Sequence, residues 1–248
     1  MHRLRRLLAE VDVTTKKFPG FPRDLFRFLV ELKKNNDRDW FNANKDRYKE
    51  SIVAPMIEFI GAMDGSLAKV SDCFLADPRP SGGSMFRIYR DVRFSHDKRP
   101  YKEHVACHFR HISGKDAHAP GFYVHLEPDD VFFGGGIWHP PGPALLQIRE
   151  AIAHDPDRWL EITRKRGFKQ RFGAVEGEAL KRPPRGFDPE HVCIDDLKRK
   201  SFFAIKRVDS KVATSGKFIT EVERTFVAMH DFMEFLTGAV GVSFSLDD

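Results

Sequence analysis

The sequence predicts an α+β fold in which a central, mostly antiparallel sheet is flanked by N-terminal and C-terminal helices. Apolar residues recur at helical spacing up to about residue 67 and again from about residue 143. Between these stretches the chain changes to short runs rich in β-branched and aromatic residues, which are typical of strands. Helices thus come first, consecutive strands follow, and helices return with one later strand. This order favours α+β over an alternating β-α-β architecture.

The N-terminal helices are predicted from one apolar face and one helix breaker. A second helix begins near Asp39, and Pro55 predicts a kink or break because proline lacks the amide that the preceding turn needs. In the first helix the apolar positions recur at i, i+3, i+4 and i+7, and they are Leu25, Phe28, Leu29 and Leu32.

Five strands are predicted from short apolar or alternating runs. Residues 86–95 alternate with a period of two. Ile88, Val92 and Phe94 share one face with Arg90, while Arg87 and Arg93 share the other. The turn residues at Pro128 predict a hairpin between two of the strands. The predicted strands cover residues 86–95, 104–112, 121–127, 131–138 and 202–208.

The last helices and the domain boundaries follow from the same patterns. Helices are predicted at residues 143–153, after Asp155, and at residues 217–236, where a broad apolar stripe is found. Residues 18–248 are predicted to form a single α+β domain, because the late strand needs the upstream sheet to join. Residues 1–17 are expected to form a basic leader that is open to disorder.

Composition restricts the classes of function. No apolar run approaches the roughly 18–20 residues that a membrane helix needs, so no membrane partner is expected. Three widely spaced cysteines suggest neither a disulfide framework nor a zinc site, and they fit a reducing cytoplasm. The net charge of +5 is mild, but it favours a phosphate-bearing partner where it is clustered.

One segment, residues 87–102, holds the densest group of charged side chains in the chain. Arginine offers a planar fork of donors that fits phosphate or carboxylate oxygens two at a time. We therefore expect an anion-binding domain, whose ligand is a phosphate-bearing small molecule or a nucleic-acid backbone. The predicted ligand-binding residues are Arg87, Arg90, Arg93, Lys98, Tyr101 and Lys102.

Two alternatives stay open at this stage. The same segment could form a structural network of ion pairs in a domain that serves as a protein-interaction scaffold, and Arg90 on the apolar face would fit such a network. It could also belong to a phosphoester hydrolase or transferase in which Asp91 or Asp97 is the catalytic base.

No metal or cofactor is expected. His104, His108 and His111 have the spacing of helical metal ligands, but their segment alternates like a strand, so partly exposed strand histidines are the better interpretation. His125 and Glu127 share one face of a predicted strand. The glycine runs match no nucleotide-binding pattern. The large aromatic side chains are expected to line the core or a groove, and they are Trp40, Phe41, Tyr48, Trp138 and Trp159.

Five segments resemble a known family of uncharacterised, mainly bacterial proteins, domain of unknown function 2461. They occur in the same order as in that family, which is similar to this chain from about Phe18 to about Phe244. The resemblance implies a single compact α+β domain and brings no established activity or cofactor. The segments are LKKNNDRDWFNANKDRY (32–48), RIYRDVRFSHDKRPYK (87–102), PGFYVHLEP (120–128), GGGIWHPPGPAL (134–145) and LKRKSFFA (197–204).

Overall fold

Five antiparallel strands form one sheet, in the order in which they occur along the chain. The computed structural model describes residues 18–114 and 119–246, so the predicted leader, residues 1–17, lies outside the described residues. The sheet confirms the predicted α+β class. Its strands are β1 (Phe74–Leu75), β2 (Val105–His111), β3 (Gly121–Glu127), β4 (Asp130–Ile137) and β5 (Phe202–Val208).

Helices precede β1 and follow β4 and β5, as predicted. The predicted irregularity near Pro55 is a π-helical turn, Lys49–Val53, which lies directly before the helix that holds the proline in its first turn. The α-helices are α1 (Arg23–Lys34), α2 (Arg38–Ala43), α3 (Lys45–Tyr48), α4 (Ala54–Ala62), α5 (Asp64–Leu67), α6 (Gly142–His154), α7 (Pro156–Arg164), α8 (Arg166–Phe172), α9 (Ile194–Leu197), α10 (Ser210–Ala213), α11 (Phe218–Val227) and α12 (His230–Ala239).

The two faces of the sheet differ in chemistry, because side chains alternate along each strand. On the helix-covered face, β3 places Phe122, Val124 and Leu126 in the core with no exposed surface. On the opposite face, which we call the outer face, β3 places Tyr123, His125 and Glu127. The register pairs His125 with Ala106 of β2 and with Phe132 of β4, so the outer face runs across all three central strands.

Aromatic side chains join the helices to the covered face. Phe226 of α11 stacks on Phe122 with ring centroids 4.4 Å apart, and Phe218 of the same helix meets Phe133 at 5.6 Å. Phe59 of α4 approaches Phe109 of β2, so N-terminal and C-terminal helices share this face. One cluster of buried side chains therefore extends through the domain between Phe18 and Phe244.

The strand predicted at residues 86–95 is wrong. This segment contains one isolated bridge, Tyr89 with Tyr101, and a second lies directly before it, Met85 with Cys107. Asp91 and Asp97 instead accept hydrogen bonds from the backbone amides two residues further on, and such local bonds compete with a strand ladder. The expected apolar face is also incomplete, because Phe94 is 95% exposed.

Three further predictions need correction. The helix predicted at 217–236 is two helices, α11 and α12, because the chain tightens at Met229, whose amide bonds the Phe226 carbonyl at 3.0 Å. Of the two locations predicted for Trp138, the core is excluded, because the side chain is 67% exposed. His111 is buried rather than partly exposed, since its Nε2 bonds the Ser243 carbonyl at 2.8 Å.

Candidate functional site

The basic segment forms a loop that leaves the edge of the sheet and returns to it. We call residues 85–102 the basic loop. Its first residues run alongside β2, where the Phe86 amide donates to the Ala106 carbonyl at 3.0 Å. Its two arms then meet each other, since the Arg90 amide donates to the Pro100 carbonyl and the Lys102 amide to the Ile88 carbonyl. The loop thus begins and ends beside the outer face.

Asp97 holds two arginines of the basic loop. Its carboxylate accepts from Arg90 Nη1 at 2.6 Å and from Arg99 Nη2 at 2.7 Å, and Arg99 also pairs with Glu103. These guanidinium groups, that of Arg99 first, hold the pKa of Asp97 well below its usual range. Arg90 is partly exposed rather than buried. Asp97 therefore acts as the fixed centre of an ion-pair network.

Asp91 forms a second, separate ion pair at the tip of the loop. Arg93 donates to its two carboxylate oxygens at 3.0 and 2.7 Å. This interaction lowers the pKa of the Asp91 carboxyl and raises the pKa of the Arg93 guanidinium. A carboxylate with a lowered pKa is a weak proton acceptor. The surroundings of Asp91 and Asp97 thus do not favour a general base.

Two other predicted site residues support the backbone of the loop. The Lys98 ammonium donates to the Val92 carbonyl at 3.0 Å. Tyr101 is buried, and its ring stacks on Phe41 with centroids 4.1 Å apart. The Asn36 side chain fixes the Tyr101 backbone, because it donates to the carbonyl and accepts from the amide, both at 3.1 Å.

Arg87 and Lys102 differ from the other cations of the basic loop. Within residues 18–114 and 119–246, neither side chain forms a hydrogen bond or an ion pair, whereas Lys98, which also has no carboxylate partner, donates to a backbone carbonyl. Lys102 lies over the Phe86 ring, with its nitrogen 5.3 Å from the ring centroid. Burial lowers the pKa of Lys102, and the nearby charge of Arg87 lowers it further. Two positive charges therefore lie together, and neither forms an ion pair with a carboxylate in the described part of the chain, although the charge of Arg87 contributes to lowering the pKa of Asp91.

A second group of titratable side chains lies on the outer face next to Lys102. The ligand atoms of His104, His125 and Glu127 all lie within 4.8 Å of one another. His125 Nε2 is 3.4 Å from Glu127 Oε2, and its Nδ1 is hydrogen-bonded to the Tyr123 hydroxyl at 3.0 Å. The rings of His104 and His125 are 4.4 Å apart between centroids. We call these three residues the histidine cluster.

Both histidines of the histidine cluster have a lowered pKa. Burial lowers the pKa of His125 to about 4. Burial and then the neighbouring His125 and Lys102 lower the pKa of His104 to about 4. Both imidazoles are therefore neutral at pH 7, with lone pairs available. Glu127 meets no lysine or arginine in the described ranges, and it supplies a carboxylate beside them.

Sequence reasoning identified part of this cluster. His125 and Glu127 were predicted to share a strand face, and their contact confirms it. His104 was grouped with His108 and His111, but the pairing of Val105 with Leu126 brings it beside His125 instead. His108 pairs with Tyr123 rather than with His125, and its ring centroid lies 6.2 Å from that of Phe86. Only the register of β2 against β3 could have shown this arrangement.

A cleft of about 520 Å³ is lined by residues of α8, β5 and α12, and no sequence motif predicted it. Three cations line it, Lys165, Arg171 and Lys206. Two of them are neutralised, because Lys165 pairs with Asp231 at 3.3 Å and Lys206 with Glu221 at 2.6 Å. This cleft therefore offers an anion less uncompensated charge than Arg87 and Lys102 do.

Comparison with known proteins places the chain in a family. A family model described as a conserved hypothetical protein (DUF2461) matches residues 24–235, so the chain belongs to that family, as its motifs predicted. No curated protein matches the chain, and no solved structure matches it. Among the described residues, each helix is too short or too polar to cross a bilayer.

Proposed function

We propose that this domain binds a small phosphate- or carboxylate-bearing ligand through Arg87 and Lys102. The observation that carries the proposal is the contrast within the basic loop. Arg90, Arg93 and Arg99 are neutralised by carboxylates. Arg87 and Lys102 form no such ion pair among the described residues. Burial, and then the positive charge of Arg87, lowers the pKa of Lys102. A bound anion would relieve the repulsion between these two charges and favour the charged lysine.

The size of this charge favours a small ligand over nucleic acid. Proteins that bind nucleic-acid backbones neutralise many phosphates, and their affinity falls steeply with salt. Two cations fit one phosphate or carboxylate group, with the arginine fork supplying paired donors. The reducing cytoplasm that the cysteine spacing favours would supply phosphorylated and carboxylated metabolites. A hydrolase that uses Asp91 or Asp97 as its base receives less support, since both carboxylates are held in ion pairs.

A thermal-shift screen of the full chain tests the proposal. The probes are inorganic phosphate, sulfate, citrate, nucleotides and short DNA or RNA. A ligand at about one hundred times its dissociation constant stabilises the folded protein by about 2.7 kcal/mol. The loss of a charge-assisted bond costs about 1.5–3 kcal/mol, so Arg87→Ala and Lys102→Met should each weaken binding about ten- to a hundredfold.

The matched control is Arg79→Ala, an exposed arginine outside the basic loop that is paired with Asp77. It removes the same charge and should leave the affinity unchanged. A steep salt dependence of binding would favour a nucleic-acid backbone instead. If none of the probes raises the melting temperature, the proposal is contradicted, and a structural role for the whole loop in an interaction scaffold is favoured.

A further inference from the structure

We infer that His104, His125 and Glu127 form a binding site for one divalent transition-metal ion of the zinc class. The inference does not rest on the proposed anion site, because it depends on different side chains. The three ligand atoms lie within 4.8 Å of one another. His125 and Glu127 belong to β3, and His104 directly precedes the adjacent strand β2. Two imidazoles and one carboxylate match a ligand set that proteins use for zinc with an open fourth position.

One pair of ligand atoms already has the separation expected around a bound ion. Ligand atoms about 2.0–2.1 Å from a tetrahedral zinc are separated by about 3.4 Å. His125 Nε2 and Glu127 Oε2 are 3.4 Å apart. His104 precedes β2 and is only partly buried, so its ring can turn toward the same point. Its nitrogens form no hydrogen bond with another described residue, which leaves both free to coordinate.

Tyr123 orients His125 as a metal ligand. Metal-binding histidines usually place their second ring nitrogen in a hydrogen bond, which fixes the tautomer and the ring orientation. The Tyr123 hydroxyl lies 3.0 Å from His125 Nδ1. With a proton on Nδ1, the bond runs from His125 to the Tyr123 oxygen, and the lone pair of Nε2 is directed to the cluster. The Phe132 ring stacks on the His125 ring with centroids 4.5 Å apart and limits its rotation.

The donor types select among metals. Magnesium and calcium prefer oxygen ligands, whereas imidazole suits zinc, copper, nickel and iron. The single carboxylate and two neutral imidazoles would leave a bound divalent ion with a net positive charge. This site therefore differs in kind from the Arg87 and Lys102 pair, which would bind an anion with no metal present.

Zinc binding to the untagged, chelator-stripped full chain tests the inference. Isothermal titration with zinc chloride should give one site per chain, and cobalt chloride should give the visible absorption of a four- or five-coordinate ion. Glu127→Gln and His125→Ala should each abolish stoichiometric binding. Tyr123→Phe should weaken it about ten- to a hundredfold, because it removes the partner of Nδ1.

The matched control is His154→Ala, which removes an exposed imidazole at the end of α6 and should bind zinc like the wild type. Glu127→Gln keeps the shape of a partly exposed side chain, so it reports on metal binding even if His125→Ala fails to fold. An absence of stoichiometric zinc in the wild-type protein would overturn the inference. Unchanged zinc and cobalt binding in Glu127→Gln and His125→Ala would overturn it as well.

Discussion

The two faces of the sheet are formed by the same strands but differ in burial and polarity. On the helix-covered face, Phe122 and Phe133 pack against the aromatic residues of α11 and have no exposed surface. On the outer face, alternate residues of the same strands are polar or partly exposed, and they meet the basic loop instead of a helix. The first face stabilises the domain through apolar burial, and the second places neutral histidines, a carboxylate and two cations side by side.

The largest effect is expected from Phe226→Ala on the covered side. Phe226 is fully buried and stacks on Phe122, so its removal leaves a cavity in the core. Such substitutions lower the free energy of unfolding by about 3–5 kcal/mol. Urea denaturation would measure the change. The control is Phe132→Ala on the outer face, where the ring is partly exposed and the loss should be clearly smaller. Equal losses would show that the two faces are buried alike.

A smaller effect is expected from a methyl group added to the outer face. At Gly134 a Cβ atom would lie 2.0 Å from the Ala204 carbonyl oxygen of β5, so the two strands must move apart. Overpacking of this kind costs about 1–3 kcal/mol. Gly142→Ala is the control, since nothing lies within 4 Å of its Cβ at the start of α6. A thermal midpoint of Gly134→Ala equal to that of the wild type would show that β4 and β5 are more loosely paired here.

The covered face could be predicted from the sequence because its signal is local. The period of two in β3 and the apolar stripe of α11 each identify their buried side without knowledge of a partner. The error at residues 86–95 also has a local cause. Its alternation resembles that of a strand, but Asp91 and Asp97 bond the backbone nearby and no ladder forms.

The outer face could be predicted only in part because its signal is not local. His125 and Glu127 are two residues apart, so the strand period alone places them together. His104 joins them through the register of β2 against β3, which no single segment encodes. The ion pairs have the same limit, because Arg90 reaches Asp97 only where the basic loop turns back on itself. The sequence therefore identified the charged segment but could not tell which of its cations lack a partner.

The pH dependence of the free energy of unfolding should distinguish the two faces, because the histidines with a lowered pKa lie on the outer face. Burial and then the charge of Arg110 lower the pKa of His108 to about 4, below the ordinary value of about 6.5. The unfolded chain therefore binds a proton first as the pH falls. Stability is complete above about pH 6.5 and declines as the pH falls toward 4, by at most about 1.4 kcal/mol per pH unit for this one group.

His108→Gln should flatten that decline, and urea denaturation at a series of pH values would measure it. His108 is suited to this test because it is not one of the proposed metal ligands. His154→Ala, which removes an exposed histidine, should leave the slope as it is in the wild type. An unchanged slope in His108→Gln would mean that His108 is protonated alike in the folded and unfolded chain.

The smallest effects are expected at the tip of the basic loop, where the ion pair of Asp91 and Arg93 is exposed. Exposed pairs contribute little because solvent screens them, so Asp91→Asn should leave the urea midpoint of unfolding unchanged. Asp97→Asn should also leave global stability nearly unchanged, but it releases Arg90 and Arg99 together. We therefore expect faster amide hydrogen exchange across residues 90–99 in Asp97→Asn than in Asp91→Asn. Equal exchange in both variants would mean that the two arginines do not hold the loop, and the distinction between its paired and unpaired cations would lose its structural basis.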